Sequence, residues 1–307
     1  MNYDLSDDVK INFNSIKRIK DNPKGLFITW VANWVIKPLS MYFIVYLFFF
    51  IFYGNVMSTE LANEYLAGAV LLGAAPCTAM VFVWSKLTKG DSSYTLVQVA
   101  SNDLIILIAY IPIVSFLLNM GNINIPWETS LLSVILFSVV PLVVSIIIRK
   151  YIISRKSEDY LVNHFIPKFD KYTVVGLLLT LVIIFSFQGY RIVEQPLNTV
   201  LISIPLIIQT LFIFAITFGL AYYSKLPYSI AAPCAAIGAS NFFELAVAVA
   251  ISLFGLSSGA TLVTVVGYWL RFRDPLLSQT SQFNESKISK LIKGCKEQQF
   301  YIGCFFC

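Results

Sequence analysis

The sequence predicts an all-α membrane protein, a multi-span helical bundle of inverted repeats in which two helices are discontinuous. Three observations carry this. Of 307 residues, 57% are hydrophobic and only 13% are charged, about half the charged share of a soluble domain. The apolar residues gather into eight runs. Two of those runs contain the same tetrapeptide, Ala74-Ala75-Pro76-Cys77 and Ala231-Ala232-Pro233-Cys234.

Residues 1–24 are polar and mixed in charge without an apolar h-region, so they read as a cytoplasmic N-terminal segment and not as a cleaved signal. Residues 25–270 form a polytopic domain, with spans expected near 25–52, 63–86, 93–118, 129–149, 172–188, 196–223, 227–255 and 258–270. Residues 271–307 form a polar tail. The second and seventh spans carry the tetrapeptides. A proline there removes a backbone donor and frees a carbonyl upstream, which a bilayer tolerates only where protein or a water-filled cavity satisfies it. Paired interruptions in two halves point to the midplane site of a secondary transporter. The cysteines lie 234 − 77 = 157 residues apart, about half the chain.

Basic residues fix the orientation. Lys17, Arg18, Lys20 and Lys24 precede the first span, Lys86 and Lys89 follow the second, and Lys225 follows the sixth. Arg149, Lys150, Arg155, Lys156, Lys168 and Lys171 crowd the fourth-to-fifth connection. The opposite loops hold only Arg191. Both termini are therefore expected in the cytoplasm. The two broken spans then run in opposite directions, and the symmetry is completed only by two further helices before residue 25. The sequence thus reads as about eight spans of a ten-span design.

The net charge of +5 is explained by these loops and calls for no nucleic-acid partner. Five cysteines do not form a disulfide framework: two lie within spans, and Cys295, Cys304 and Cys307 fall in the tail. No cofactor and no enzymatic activity are expected.

Chemistry concentrates at few positions. Cys77 is a soft thiol at the first break; as a residue type it also serves as a small buried hydrophobe. Cys234 is its repeat-related counterpart, a second thiol at the site or a packing residue. Glu244 is a carboxylate in mid-span, where such residues are costly and usually functional or paired; desolvation there suits reversible protonation. Ser240 and Asn241, one turn earlier, offer hydrogen bonds to Glu244 or to a substrate hydroxyl. Asn102 and Asp103 make a second polar island, Asp103 with the alternative of serving the helix dipole near a helix start. Thr78 either bonds freed backbone or faces the cavity.

The segment from Gly73 to Ser85, with Gly90-Asp91 after it, resembles the fourth helix of the arsenical-resistance-three arsenite efflux permeases, relatives of the bile acid/sodium symporters. Gly238-Ala239-Ser240-Asn241-Phe242-Phe243-Glu244-Leu245-Ala246-Val247-Ala248 resembles their ninth. The resemblance covers about Ile16 to Gly267. It implies broken helices crossing at the midplane, with Cys77 and Glu244 as the residues required for transport. It also implies export of arsenite, and with it antimonite, across the inner membrane, by proton antiport. Trivalent arsenic is soft and thiophilic, so a thiol ligand fits it; in this sense Cys77 is the metalloid ligand.

The rivals are a sodium-coupled organic-anion symporter using Asn102 and Glu244, a nonfunctional fragment of a permease, and an intramembrane thiol oxidoreductase. The last is opposed by the lack of a Cys-x-x-Cys motif in the spans. Beyond Leu270 the sequence departs from the resemblance. Trp269–Arg273 can be encoded by codons that, shifted in frame, read Val-Glu-Ile-Pro, the text that the resemblance implies here, so a frameshift near residue 268 is expected.

Overall fold

A computed structural model of the chain describes residues 23–77, 88–121, 127–135, 139–157 and 196–267, with isolated positions elsewhere. The chain divides into a unit Met1–Val266 and a unit Gly267–Cys307; the helices that build the site lie in the first. The N-terminal segment to residue 22, Thr78, most of the expected run 172–188 and the tail from 271 lie outside the described residues.

Among the described residues the structure is helical without strands. The elements are α1 (Pro23–Phe52), α2 (Thr59–Gly73), α3 (Ser92–Met120), α4 (Trp127–Val134), α5 (Val140–Arg155), α6 (Pro196–Tyr223), α7 (Tyr228–Ala239), α8 (Phe243–Phe254) and α9 (259–267). Four stretches among the described residues are long and apolar enough to cross a membrane: α1, α3, α6 and the α7–α8 pair from Tyr228 to Phe254.

Local sequence explains the helix ends. Pro23 opens α1, where its missing N–H costs nothing. Ser58 caps α2, its hydroxyl accepting from the Leu61 N–H at 3.3 Å, with Glu60 in the first turn. Asp91 caps α3 by accepting from the Ser93 and Tyr94 N–H groups at 3.0 Å each.

α1 is not wound uniformly. It turns π-helical over Ala32–Ile36 and again over Leu47–Phe52. In the first of these the Lys37 N–H reaches back five residues to the Ala32 carbonyl. Pro38, next along, has no N–H to offer, so the widened turn precedes the point where α-helical bonding fails. The result turns Asn33 and Lys37 inward, both fully buried.

α1 packs on α2, α3, α6 and α7; α6 packs along α7, and α8 on α2 and α4. α9 starts against α2: the Glu64 carboxylate accepts the Gly259 N–H at 2.5 Å. A side chain at Gly68 would collide with the Ala260 backbone, so the helices meet backbone to backbone. Large apolar residues such as Phe27, Phe43, Phe52, Ile108 and Phe116 face outward, as lipid contact requires.

Candidate functional site

The first interruption is where the sequence predicts it. α2 ends at Gly73, and the chain runs non-helically through Pro76 and Cys77. Pro76 cannot donate to the carbonyl four residues back and disfavours helical geometry at Ala75. Cys77 is 3% exposed.

The second interruption is displaced from its prediction. Pro233 lies inside α7, which continues to Ala239; the chain opens at Ser240, Asn241 and Phe242 before α8. Pro233 still leaves a carbonyl without its usual donor, that of Ser229, four residues earlier. The Asp91 N–H takes it at 2.8 Å, from the start of α3. Gly90 makes this approach possible, because a Cβ there would strike the Pro233 ring and the Ser85 hydroxyl. The second proline is thus repaired by a neighbouring loop, and the true break comes 240 − 233 = 7 residues later.

The two breaks are joined directly. The Cys77 N–H donates to Ser240 Oγ at 3.1 Å, and the Phe242 N–H donates to the Ala75 carbonyl at 3.0 Å. The Ser240 hydroxyl in turn donates to the Ile237 carbonyl at 2.7 Å. Ser240, expected to serve Glu244 or a substrate, is therefore committed to backbone on both sides. A third tie comes from α1. Lys37 Nζ donates to the Ala75 carbonyl at 3.0 Å and to the Ser240 carbonyl at 2.6 Å, one from each break. Sequence reasoning missed this residue. The signal was present, since Lys37 is the single charged residue between Lys24 and Glu60, and an ionisable group inside a span is a site candidate by default.

Cys234 belongs to another neighbourhood. It is fully buried among Tyr94, Ile230 and Leu226. Its Sγ accepts from Gln98 Nε2 at 2.8 Å and approaches the Gly25 carbonyl at 3.5 Å. Gln98 Nε2 also donates to Thr29 Oγ1 at 2.8 Å. These contacts of Cys234 are thus with α1, α3 and α7 and not with residues 75–77 or 240–242.

Asn102 is buried and hydrogen-bonded through both ends of its amide. Its Nδ2 donates to the Gln98 carbonyl at 2.7 Å, while its Oδ1 accepts from Trp34 Nε1 at 2.9 Å and Asn33 Nδ2 at 3.2 Å. It anchors the π-helical part of α1 to α3. Asp103 lies 103 − 92 = 11 residues into α3, about three turns from its start. The acid at that helix start is Asp91, so the dipole reading of Asp103 falls. Its Oδ1 is buried without a hydrogen-bond partner among the described residues. Asn241 sits within the second break, half-buried. Glu244 stands in the first turn of α8, where the helix dipole favours an anion. Its side chain is exposed on the protein surface.

Together these residues form two unwound segments laid side by side, with a thiol on one, a carboxylate just beyond the other, and a buried lysine amino group across both. Comparison with known proteins agrees with this architecture. Residues 5–195 match the Sodium Bile acid symporter family. The chain is 58% identical to "Arsenical-resistance protein Acr3" of Alkaliphilus metalliredigens over 259 residues, covering 84% of this chain and 72% of that protein. It is 44% identical to an uncharacterized transporter of Synechocystis over 268 residues, covering 84% and 70%. It is 29% identical to the Acr3 protein of Corynebacterium glutamicum over 267 residues, again covering 84% and 70%. A broken-helix membrane bundle, the family match and these relatives together show that the chain belongs to the Sodium Bile acid symporter family, as an Acr3-type permease.

Proposed function

We propose that this chain is a secondary transporter that carries arsenite, and with it antimonite, out of the cell in exchange for protons. The observation that carries the reading is the position of Cys77, at the first break and hydrogen-bonded through its backbone to the second. The 58% identity to a protein named for arsenical resistance supports the cargo. Chemistry supports it too, because a single thiol binds a soft metalloid yet lets it go, where several converging thiols would trap it. Binding forms one S–As bond: the thiol displaces a hydroxyl of arsenous acid, which leaves as water with the thiol proton. Water reverses the step on the far side. No electron is transferred.

Glu244 is the proton carrier in this reading. It is mid-span, exposed in the first turn of α8, and three residues from Asn241 in the break. Asn102, the other residue on which a sodium site was expected to rest, has its amide engaged by Trp34, Asn33 and Gln98, which weighs toward protons. The protein resides in the inner membrane with both termini in the cytoplasm, the arrangement that the Lys and Arg distribution favours.

The test is arsenite uptake into everted membrane vesicles. A pH gradient, acid inside, should drive uptake that collapses with a protonophore. Uptake that ignores the protonophore and follows a sodium gradient overturns the coupling, and the absence of arsenite movement at normal membrane levels overturns the cargo.

A further inference from the structure

Lys37 is fully buried. Removing an ammonium from water is costly and is tolerated only where its hydrogens find good acceptors. Two of them do so on the carbonyls of Ala75 and Ser240, at 3.0 and 2.6 Å, as charge-assisted bonds. These carbonyls are of a special kind. Each lies where a spanning helix has unwound, at Ala75 before Pro76 and at Ser240 after α7. In transporters built on discontinuous helices, carbonyls released by unwinding are the groups that ligate a coupling cation.

Here the two carbonyls already receive a covalently attached amino group, which is a cation when protonated. An ammonium offers one positive charge and hydrogen bonds to the oxygens that a bare alkali ion would draw in. The π-helical stretch Ala32–Ile36 and Pro38 fix its place, since together they set which face of α1 Lys37 occupies. Asn33 on the same face is held by Asn102 of α3.

We propose that Lys37 is a tethered cation: it stands at the carbonyl site between the two breaks in place of a soluble alkali ion, and so frees transport from any need for sodium. The inference rests on the transporter reading and deepens it by assigning the residue that excludes sodium coupling. Lys37 acts on the breaks and not on the substrate, so it is a positioning residue.

The test uses the full chain carrying Lys37→Ala or Lys37→Ser. Arsenite uptake into everted vesicles is measured in choline chloride, sodium chloride or ethylammonium chloride at equal ionic strength. The unaltered chain should transport equally in all three. In choline each variant should lose about tenfold or more, the effect of two lost charge-assisted bonds, and sodium or ethylammonium should restore much of it. Thermal unfolding of the purified proteins is a second, transport-independent readout: sodium should raise the Tm of Lys37→Ala and leave that of the unaltered chain unmoved.

Sodium dependence of the unaltered chain overturns the proposal. So does full activity of Lys37→Ala in choline, or a variant that no cation rescues or stabilises. Failure of both variants to accumulate in any cation also overturns it, since Lys37 would then be a brace whose charge has no cation-site role. If the unaltered chain moves no arsenite at all, the transport reading fails, and the Tm comparison alone decides the fate of the tethered cation.

Discussion

Two identical tetrapeptides in this protein have opposite structures. At Ala74-Ala75-Pro76-Cys77 the helix stops, and the cysteine backbone reaches across to a second unwound segment. At Ala231-Ala232-Pro233-Cys234 the helix carries on, the Ser229 carbonyl finds the Asp91 N–H, and the cysteine packs against Tyr94 and Gln98. A proline creates an unsatisfied carbonyl in both. The helix survives only where a neighbouring backbone is near enough to supply the missing donor. Gly90 brings one to the second copy, by letting the loop before α3 touch the Pro233 ring.

The largest separation is expected between the cysteines. Cys77→Ser should abolish arsenite uptake while membrane levels hold, because the swap nearly preserves volume. Cys234→Ser should leave uptake largely intact, with a cost in stability of about 1 kcal/mol for the altered hydrogen bonding. Equal loss from both would erase the contrast between the two copies.

Glu244→Gln should come next. It should remove uptake driven by a pH gradient while arsenite still protects Cys77 from alkylation, since the carboxamide keeps the shape and loses the proton. Gradient-driven uptake that survives the change would remove Glu244 from the coupling.

The prolines should rank in the same order as their cysteines. Pro76→Ala supplies an N–H to the carbonyl four residues back and lets α2 grow into the break, so uptake should fall by about tenfold. Pro233→Ala merely offers Ser229 a second donor and should change uptake by less than about twofold. Vesicle uptake normalised to protein level reads both.

The smallest effect probes the repair of the second proline itself. Gly90→Ala should destabilise by about 1–3 kcal/mol through overpacking against Pro233, and pairing it with Pro233→Ala should return part of that loss. Additive Tm shifts in the double variant would show that the ring and the loop are not coupled.

Much of this was legible in the sequence. Long apolar runs mark the spans, and α1, α3 and α6 start and stop within a few residues of the runs that announce them. Cys77 at a break was legible because it directly follows a proline at which the helix does stop. The second break was misplaced because the feature that rescues Pro233 is a glycine 233 − 90 = 143 residues away, and no local pattern reports such a contact. The break at Ser240–Phe242 bears no proline at all. Lys37 was visible as a lone charge in an apolar run, yet its partners are main-chain carbonyls, which carry no side-chain signature. Ser240 and Asn102 stood out as polar groups inside spans, but the sequence could not say that each would be consumed by structure.

The contact between α2 and α9 has a mechanical consequence. With Gly68 against the Ala260 backbone and Glu64 holding the first N–H of α9, neither helix can slide or tilt without the other. The piece preceding the first break and the piece following the second half-helix are thereby welded into one lever. Among the described residues the regular helical bonds beside this lever lapse at 75–77, 240–242 and 255–258, and a rocking motion is expected to bend at such points. In the proposed cycle Cys77 stands at one of these bends, so a swing of the lever's far ends through several ångströms would move a cargo held there hardly at all and change chiefly the side on which water reaches it.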